Sequence, residues 1–424
     1  MRKIELNHIT KIEGHAELTV KIEKSEVKKV NLKVFEGARF FESILKGRKW
    51  DEVPYLTSRI CGVCSVAHHL TAIMAVEDAF DVKVSEQTKL LRELLYNGNL
   101  IQSHVLHLFF LVLPDYLGYS NAIAMASEYK DEFSTALKLK QLGNEFVSLI
   151  GGRELHAITP EVGGFSKVPS KEKLSELSGK LKAVKNDVMK SAKMFMELDY
   201  PKFDRQSRMF ALHTGNNFSI TNGEIECLSG ECFEPEDYTK HFHEYVKKGS
   251  TAKTVLYDGK PFMVGALARI NINKEYLSKD AGKLLEDYPL DYKNPYHNNP
   301  AQAIELVHLF DRCIEILDTI EIENESVKDV EPYESRGVAV SEAPRGILIH
   351  DYKFDKDGYV QEANIIPPTT QNLKMMEEDI KNLLPQIMHK KEEQIKMDIE
   401  KLIRAYDPCI SCSAHFLRIN WDVS

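Results

Sequence analysis

SRICGVCSVAHHL, residues 58–70, and RAYDPCISCSAHFL, residues 404–417, place the same device near opposite ends of a 424-residue chain: two cysteines separated by two residues. A CxxC step brings two thiolates into one turn of backbone, and two such steps supply four soft sulfur donors able to converge on one metal. If Cys61, Cys64, Cys409 and Cys412 meet, the terminal segments must fold onto one another. Gly62 allows a tight backbone inside the first pair, and Pro408 fixes the approach to the second. His68 follows Cys64 by four residues and His415 follows Cys412 by three. Taken alone, either pair also reads as a redox dithiol or half of a zinc site. A structural zinc usually cinches a local loop, whereas these sulfurs would tie the two ends of a chain with ample core of its own. A dithiol explains one pair and leaves the other idle.

The length is roughly three times that of a usual 150-residue domain. With 43% hydrophobic and 28% charged residues, the composition is that of an ordinary globular protein and excludes disorder as the main theme. Lys and Arg number 55 against 64 Asp and Glu, and the formal charge of −9 argues against nucleic acid as a general partner. The longest apolar run, LHLFFLVLP at 106–114, is short for a membrane span and contains His107. The N-terminal residues MRKIELNHITKIEGH show no signal-peptide core, and seven cysteines, an odd number, do not suggest a disulfide framework. A cytoplasmic protein without a direct membrane span is expected.

Residues 17–35 alternate apolar and polar positions and predict an antiparallel hairpin. Residues 86–113 predict a long helix with Ser85 as N-cap and Gly98 as a local weakness. Further helices are predicted over 174–198, 301–322 and 373–406, the last with a break at Pro385. The expectation is a mainly α chain with small β-sheets (α+β). It forms one body over residues 1–424, with no repeat or low-complexity linker. Residues 1–85 hold the hairpin and first metal-binding segment, 86–372 a helical body with polar insertions, and 373–424 the C-terminal helix and second metal-binding segment. His104 and His107, on the long helix, read as packing or hydrogen-bonding groups.

Seven motifs, in order, resemble those of the large, catalytic subunit of nickel-iron hydrogenases, and most nearly the cytoplasmic multi-subunit type, NAD(P)-linked or sulfhydrogenase-like. They are ITKIEGH (9–15), RFFESILKGR (39–48), RICGVCSVAHH (59–69), SHVLHLFFLVLPD (103–115), EAPRG (342–346), PPTTQN (367–372) and DPCISCSAH (407–415). The resemblance implies that family's fold, with a central bundle of long helices and both terminal segments converging on the metal site.

It also implies a nickel held by Cys61 and Cys409 as terminal ligands, with Cys64 and Cys412 bridging to an iron that carries two cyanides and one carbon monoxide. Thiolates suit nickel as soft, strongly donating ligands. Glu13 matches the family's glutamate that relays protons to and from a terminal nickel thiolate. Arg345 matches the arginine lying over the open metal position, with Asp115 and Asp407 as its carboxylate partners. His68 is expected to donate to the bridging sulfur of Cys64, and Pro368 and Thr369 to line the pocket around a cyanide. Glu42 and His415 match ligands of a separate magnesium (or ferrous) ion near the C-terminus.

Cys227, Cys232 and Cys313 supply too few ligands for an electron-transfer chain, so the resemblance implies a small subunit carrying iron-sulfur clusters. Beyond it stand flavin subunits acting on NAD(P), with ferredoxin, a deazaflavin or a disulfide reductase as other acceptors. Maturation factors are implied too, including a protease that in much of the family trims the chain just after the position of His415. Residues 416–424 are then a permanent tail or an unprocessed remnant. The competing readings are a zinc-stapled structural subunit and a hydrogen-sensing or other non-classical subunit of a redox complex.

Overall fold

The computed structural model describes residues 2–24, 26–37 and 40–414; His415 and the tail after it lie outside the described residues. The predicted hairpin is present as Ala16–Glu23 and Glu26–Val34, with Arg2–Leu6 added on its free edge to make a three-stranded antiparallel sheet. Its alternation has a direct cause: Ala16, Leu18, Val20 and Ile22 face inward while the residues between them are part-exposed or exposed. The sheet packs on the C-terminal helix Pro368–Ile387.

Helix Ser65–Ala79 begins immediately after Cys64 and is buried almost all round, lying under the hairpin Ser335–Ala343/Gly346–Phe354. The approach is close enough that a Cβ at Gly337 would stand 2.0 Å from the Ala75 carbonyl oxygen, so only glycine fits there. The long helix runs Glu86–Val105, with the Ser85 hydroxyl accepting the Thr88 amide at 3.1 Å as its cap. It continues through a π-helical turn, Leu106–Val112, into Leu113–Leu117. Gly98 is where helix Lys130–Gly151 crosses, because a Cβ there would meet Phe146 Cβ at 2.8 Å. Asn298–Thr319 packs on the other side, backed in turn by Lys171–Met196.

This 32-residue stretch, Glu86–Leu117, is long and apolar enough on average to cross a membrane, which a count of the longest apolar run does not register. Two-thirds of its most apolar window is buried against neighbouring helices, and that packing accounts for its composition.

Pro385 is not the predicted break. It sits inside Pro368–Ile387, and the chain turns only at residues 388–391 before Glu392–Ala405. Four short strands between residues 208 and 263 form a mixed sheet around a separate aromatic cluster that includes Phe210, Phe242 and Phe262. The ends of the chain meet: Glu13 and Cys409 form a parallel bridge, and the Ile410 amide donates to the Glu13 carbonyl at 2.9 Å.

Candidate metal centre

The first cysteine pair stands where a short 3-10 turn, Ser58–Ile60, gives way to helix Ser65–Ala79, and the second flanks the first residues of the four-residue helix Ile410–Ser413. All four sulfurs lie within 4.8 Å of one another, and all four residues are buried. The nearest separations are 2.9 Å for Cys409–Cys412, 3.1 Å for Cys64–Cys412 and 3.3 Å for Cys61–Cys409. These exceed the roughly 2.05 Å of a disulfide, so the sulfurs are not bonded to one another and converge on one place. Burial pushes the Cys409 and Cys412 thiols well up. Hydrogen bonds from Cys409, Cys412 and Cys64, with the Arg345 charge, hold Cys61 well down. Four thiolates together in this setting need positive charge among them.

A small pocket adjoins the sulfurs, bounded by His68, Arg345, Pro368 and Thr369. Arg345 occupies the two-residue connection of the hairpin, and its Nη2 donates to Asp407 Oδ1 at 3.0 Å. Its Nε and Nη1 are buried without an acceptor among the described residues. Four soft donors beside two unmatched guanidinium donors fit a thiolate-held metal group carrying small ligands that accept hydrogen bonds. The Glu13 carboxylate is part-buried and accepts from Cys409 Sγ at 3.1 Å and from the Ser411 amide at 2.9 Å. The Thr369 hydroxyl accepts the Cys409 amide at 2.9 Å.

Residues 39–135 and 226–415 match the sequence model of nickel-dependent hydrogenases. The chain is 39% identical to sulfhydrogenase 1 subunit alpha of Pyrococcus furiosus, over 98% of each chain. The chain belongs to the nickel-dependent hydrogenase family. It is 35% identical to sulfhydrogenase 2 subunit alpha of the same organism, over 98% of this chain and all of that one. It is 28% identical to the NAD-reducing hydrogenase HoxS subunit beta of Cupriavidus necator, over 98% and 95%. A crystal structure of an NAD+-reducing [NiFe]-hydrogenase in the H2-reduced state superposes with a TM-score of 0.88 at 23% identity, over 98% of this chain and all of that one, and shares its fold.

Within this hydrogenase large subunit, one expected contact is absent. Asp115 does not pair with Arg345; its carboxylate is taken by Lys11 and by Arg404, both closing on it from the terminal segments. The reason is its position just past the wide π-helical turn, which presents the side chain toward those segments rather than toward the hairpin tip. His68 Nδ1 lies 3.1 Å from His350 Nε2, while the ring borders the cavity. Glu42, in the first turn of Phe41–Leu45, accepts from Lys253 Nζ at 2.7 Å and from the Ile365 amide at 3.0 Å. Lys253 also contacts Glu244 at 3.1 Å, so an ammonium stands among the oxygens near Glu42; the second expected ion ligand, His415, is outside the described residues.

Several polar groups around the site escaped the sequence reading. Gln302 Nε2 donates to Asp407 Oδ2 at 3.2 Å, and its Oε1 meets His107 Nδ1 at 2.6 Å. Arg404 joins Asp115, Glu400 and the Thr10 carbonyl. His107, quoted within a motif, was the available signal for this network; Gln302 and Arg404 carried none.

Proposed function

We propose that this chain is the catalytic subunit of a cytoplasmic [NiFe] hydrogenase that reversibly splits H2 into protons and electrons, which pass through an iron-sulfur small subunit to NAD(P). The observation that carries the reading is the four-sulfur cluster with the Glu13 carboxylate 3.1 Å from Cys409 Sγ. When bound, a nickel–iron group with two cyanides and one carbon monoxide supplies the site of hydrogen cleavage and the electron outlet.

The chain's own residues then have separable tasks. Cys61, Cys64, Cys409 and Cys412 would hold the group, Cys61 and Cys409 at the nickel. Glu13 takes the proton from, and returns it to, the Cys409 sulfur, and its part-exposed position connects that sulfur to the outside. Arg345 sets a fixed positive charge over the cavity, with two nitrogens that have no acceptor among the described residues, and is held by Asp407. Burial of the whole cluster excludes bulk water. His68 and Thr369 orient the cavity wall. Glu42, with His415, is the proposed ligand pair that would hold a magnesium or ferrous ion.

NAD(P) as acceptor is supported by the likeness to subunits named for NAD reduction, and ferredoxin is the second acceptor proposed. Flavin-bearing partner subunits, maturation factors and a C-terminal protease belong to the same proposal.

Two measurements on the purified complex test it. Infrared spectra are expected to carry cyanide and carbonyl stretches, with nickel and iron in equal amounts; one zinc and no such bands would replace this reading with the structural one. Glu13→Gln is expected to leave those bands nearly in place while turnover and hydrogen–deuterium exchange fall by about 10² or more. Wild-type exchange in that variant would remove Glu13 from the proton route.

A further inference from the structure

Arg345 is delivered to the cavity by the tightest part of its hairpin, where Ala343 pairs with Gly346 and only Pro344 and Arg345 lie between. A side chain at such a tip is aimed only as well as the turn is held. Two features hold this one. Gly346 has φ +124°, and a Cβ there would stand 2.8 Å from the Gly265 amide nitrogen, so the turn is pressed against the start of helix Ala266–Asn273. One turn further along that helix, Arg269 reaches back with every N–H group engaged.

Arg269 is fully buried. Its Nε and Nη2 form a fork on Glu305 at 2.6 and 2.7 Å. Nη1 donates to Glu342 Oε2 at 3.0 Å and to the Ala343 carbonyl at 3.1 Å, and Nη2 donates to the Pro344 carbonyl at 3.1 Å. The Pro344 carbonyl belongs to the peptide plane that includes the Arg345 nitrogen, so this bond fixes the point from which the Arg345 side chain starts. The acceptors are anchored in turn: Glu305 meets His104 Nε2 at 2.9 Å, and Glu342 Oε1 accepts the Leu212 amide at 2.8 Å. One guanidinium thereby ties the hairpin tip to two helices of the bundle and to a strand of the neighbouring sheet. A lysine could supply the charge but not five directed donors.

We propose that Arg269 is a positioning residue for hydrogen turnover: through the Ala343 and Pro344 carbonyls it holds the turn that aims the Arg345 guanidinium at the thiolate cavity. It touches neither substrate nor metal ligands, and the inference rests on the reading of Arg345 given above.

The test is a cycle in the assembled, metal-loaded complex: Arg269→Lys, Arg345→Lys and the double variant, each measured for nickel content, carbonyl and cyanide band positions, kcat and KM for H2. Arg269→Lys is expected to keep its nickel, to lower kcat about tenfold with KM unchanged, and to displace the bands in the direction that Arg345→Lys displaces them. The double variant is expected to be no slower than Arg345→Lys alone, as holds when one residue acts through another. Multiplying losses, or unshifted bands with wild-type kcat, would overturn the proposal. Should Arg269→Lys fail to assemble, Glu342→Gln loosens one arm of the clamp while keeping its shape, and a two- to five-fold fall in kcat with the same band displacement is expected; an unchanged kcat there overturns the proposal. Wild-type turnover in Arg345→Lys would overturn the role of Arg345 itself, and the inference with it. That outcome is distinguishable because it appears in the variant that leaves Arg269 intact.

Discussion

Arg269 and Arg345 lie on two sides of one hairpin turn, both buried, yet they are satisfied to opposite degrees. Arg269 has an acceptor for each donor. Among the described residues Arg345 has Asp407 for one nitrogen and no acceptor for Nε and Nη1. A buried donor without a partner costs about 1–3 kcal/mol, more on a charged group, and a fold tolerates that cost where something else completes the shell. On the function proposed above, the saturated arginine belongs to the scaffold and the unsaturated one to the chemistry. Their charge environments agree: although burial opposes it, Arg269 holds the Glu305 carboxyl down at about 2. Burial leaves Glu342, which takes one guanidinium nitrogen of Arg269 beside the Leu212 amide, pushed up to about 7.

The largest effect is expected where the open side of that comparison is emptied. Cys412→Ser replaces a soft thiolate of the four-sulfur cluster by a hard oxygen and is expected to abolish the proposed metal centre, so that metal analysis finds no stoichiometric nickel and H2 uptake is lost. Full uptake with stoichiometric nickel would refute the assignment of Cys412.

A smaller effect is expected from opening a saturated site. Arg404 is another buried guanidinium with its donors met, by Asp115, Glu400 and Thr10. Arg404→Met removes that cation from Glu400 and leaves Asp115 with Lys11 alone, and a loss of about 3–5 kcal/mol is expected in chemical unfolding. Asp115→Asn sharpens the contrast, since it should lower stability while leaving the cyanide and carbonyl bands where they are. Bands that moved as in Arg345→Lys would return Asp115 to the arginine the sequence assigned it.

What was legible in the chain follows the same division. The four cysteines, Glu13 and Arg345 stand in local motifs, and the meeting of the two ends could be inferred because four sulfurs need one place to go. The hairpin that carries Arg345 was not read: Ser335–Ala343 is buried on both faces, so its residues do not alternate. Proline at 385 suggested a break, but the first helix runs through it and ends two residues later, a case of tertiary packing outweighing local preference. Arg269 gave no signal, because Glu305, Glu342 and the two carbonyls reach it from separate segments. Long-range polar saturation leaves no pattern in a single stretch of sequence.

The smallest effect concerns a third way of keeping a polar group inside, neither saturated by charge nor left open. His308 follows Glu305 by one turn on Asn298–Thr319, with its ring 4.6 Å from that of Phe218 and its Nδ1 accepting the Ser278 amide at 3.0 Å. Burial pushes its pKa from 6.5 down to about 4, with Glu305 and Asp311 opposing that fall and Arg312 assisting it. The folded chain therefore refuses a proton that the unfolded chain takes up between about pH 6.5 and 4. Stability from this group is fully present above about pH 6.5 and is lost as the pH falls toward 4, by about 3 kcal/mol at most. His308→Asn retains an acceptor for the Ser278 amide and cannot titrate, so its unfolding midpoint should decline less than that of the wild type over this interval, with the two curves parallel above pH 7. Curves that stayed parallel down to pH 4 would mean that His308 is already charged in the folded state, and that the facing carboxylates, rather than desolvation, set its behaviour.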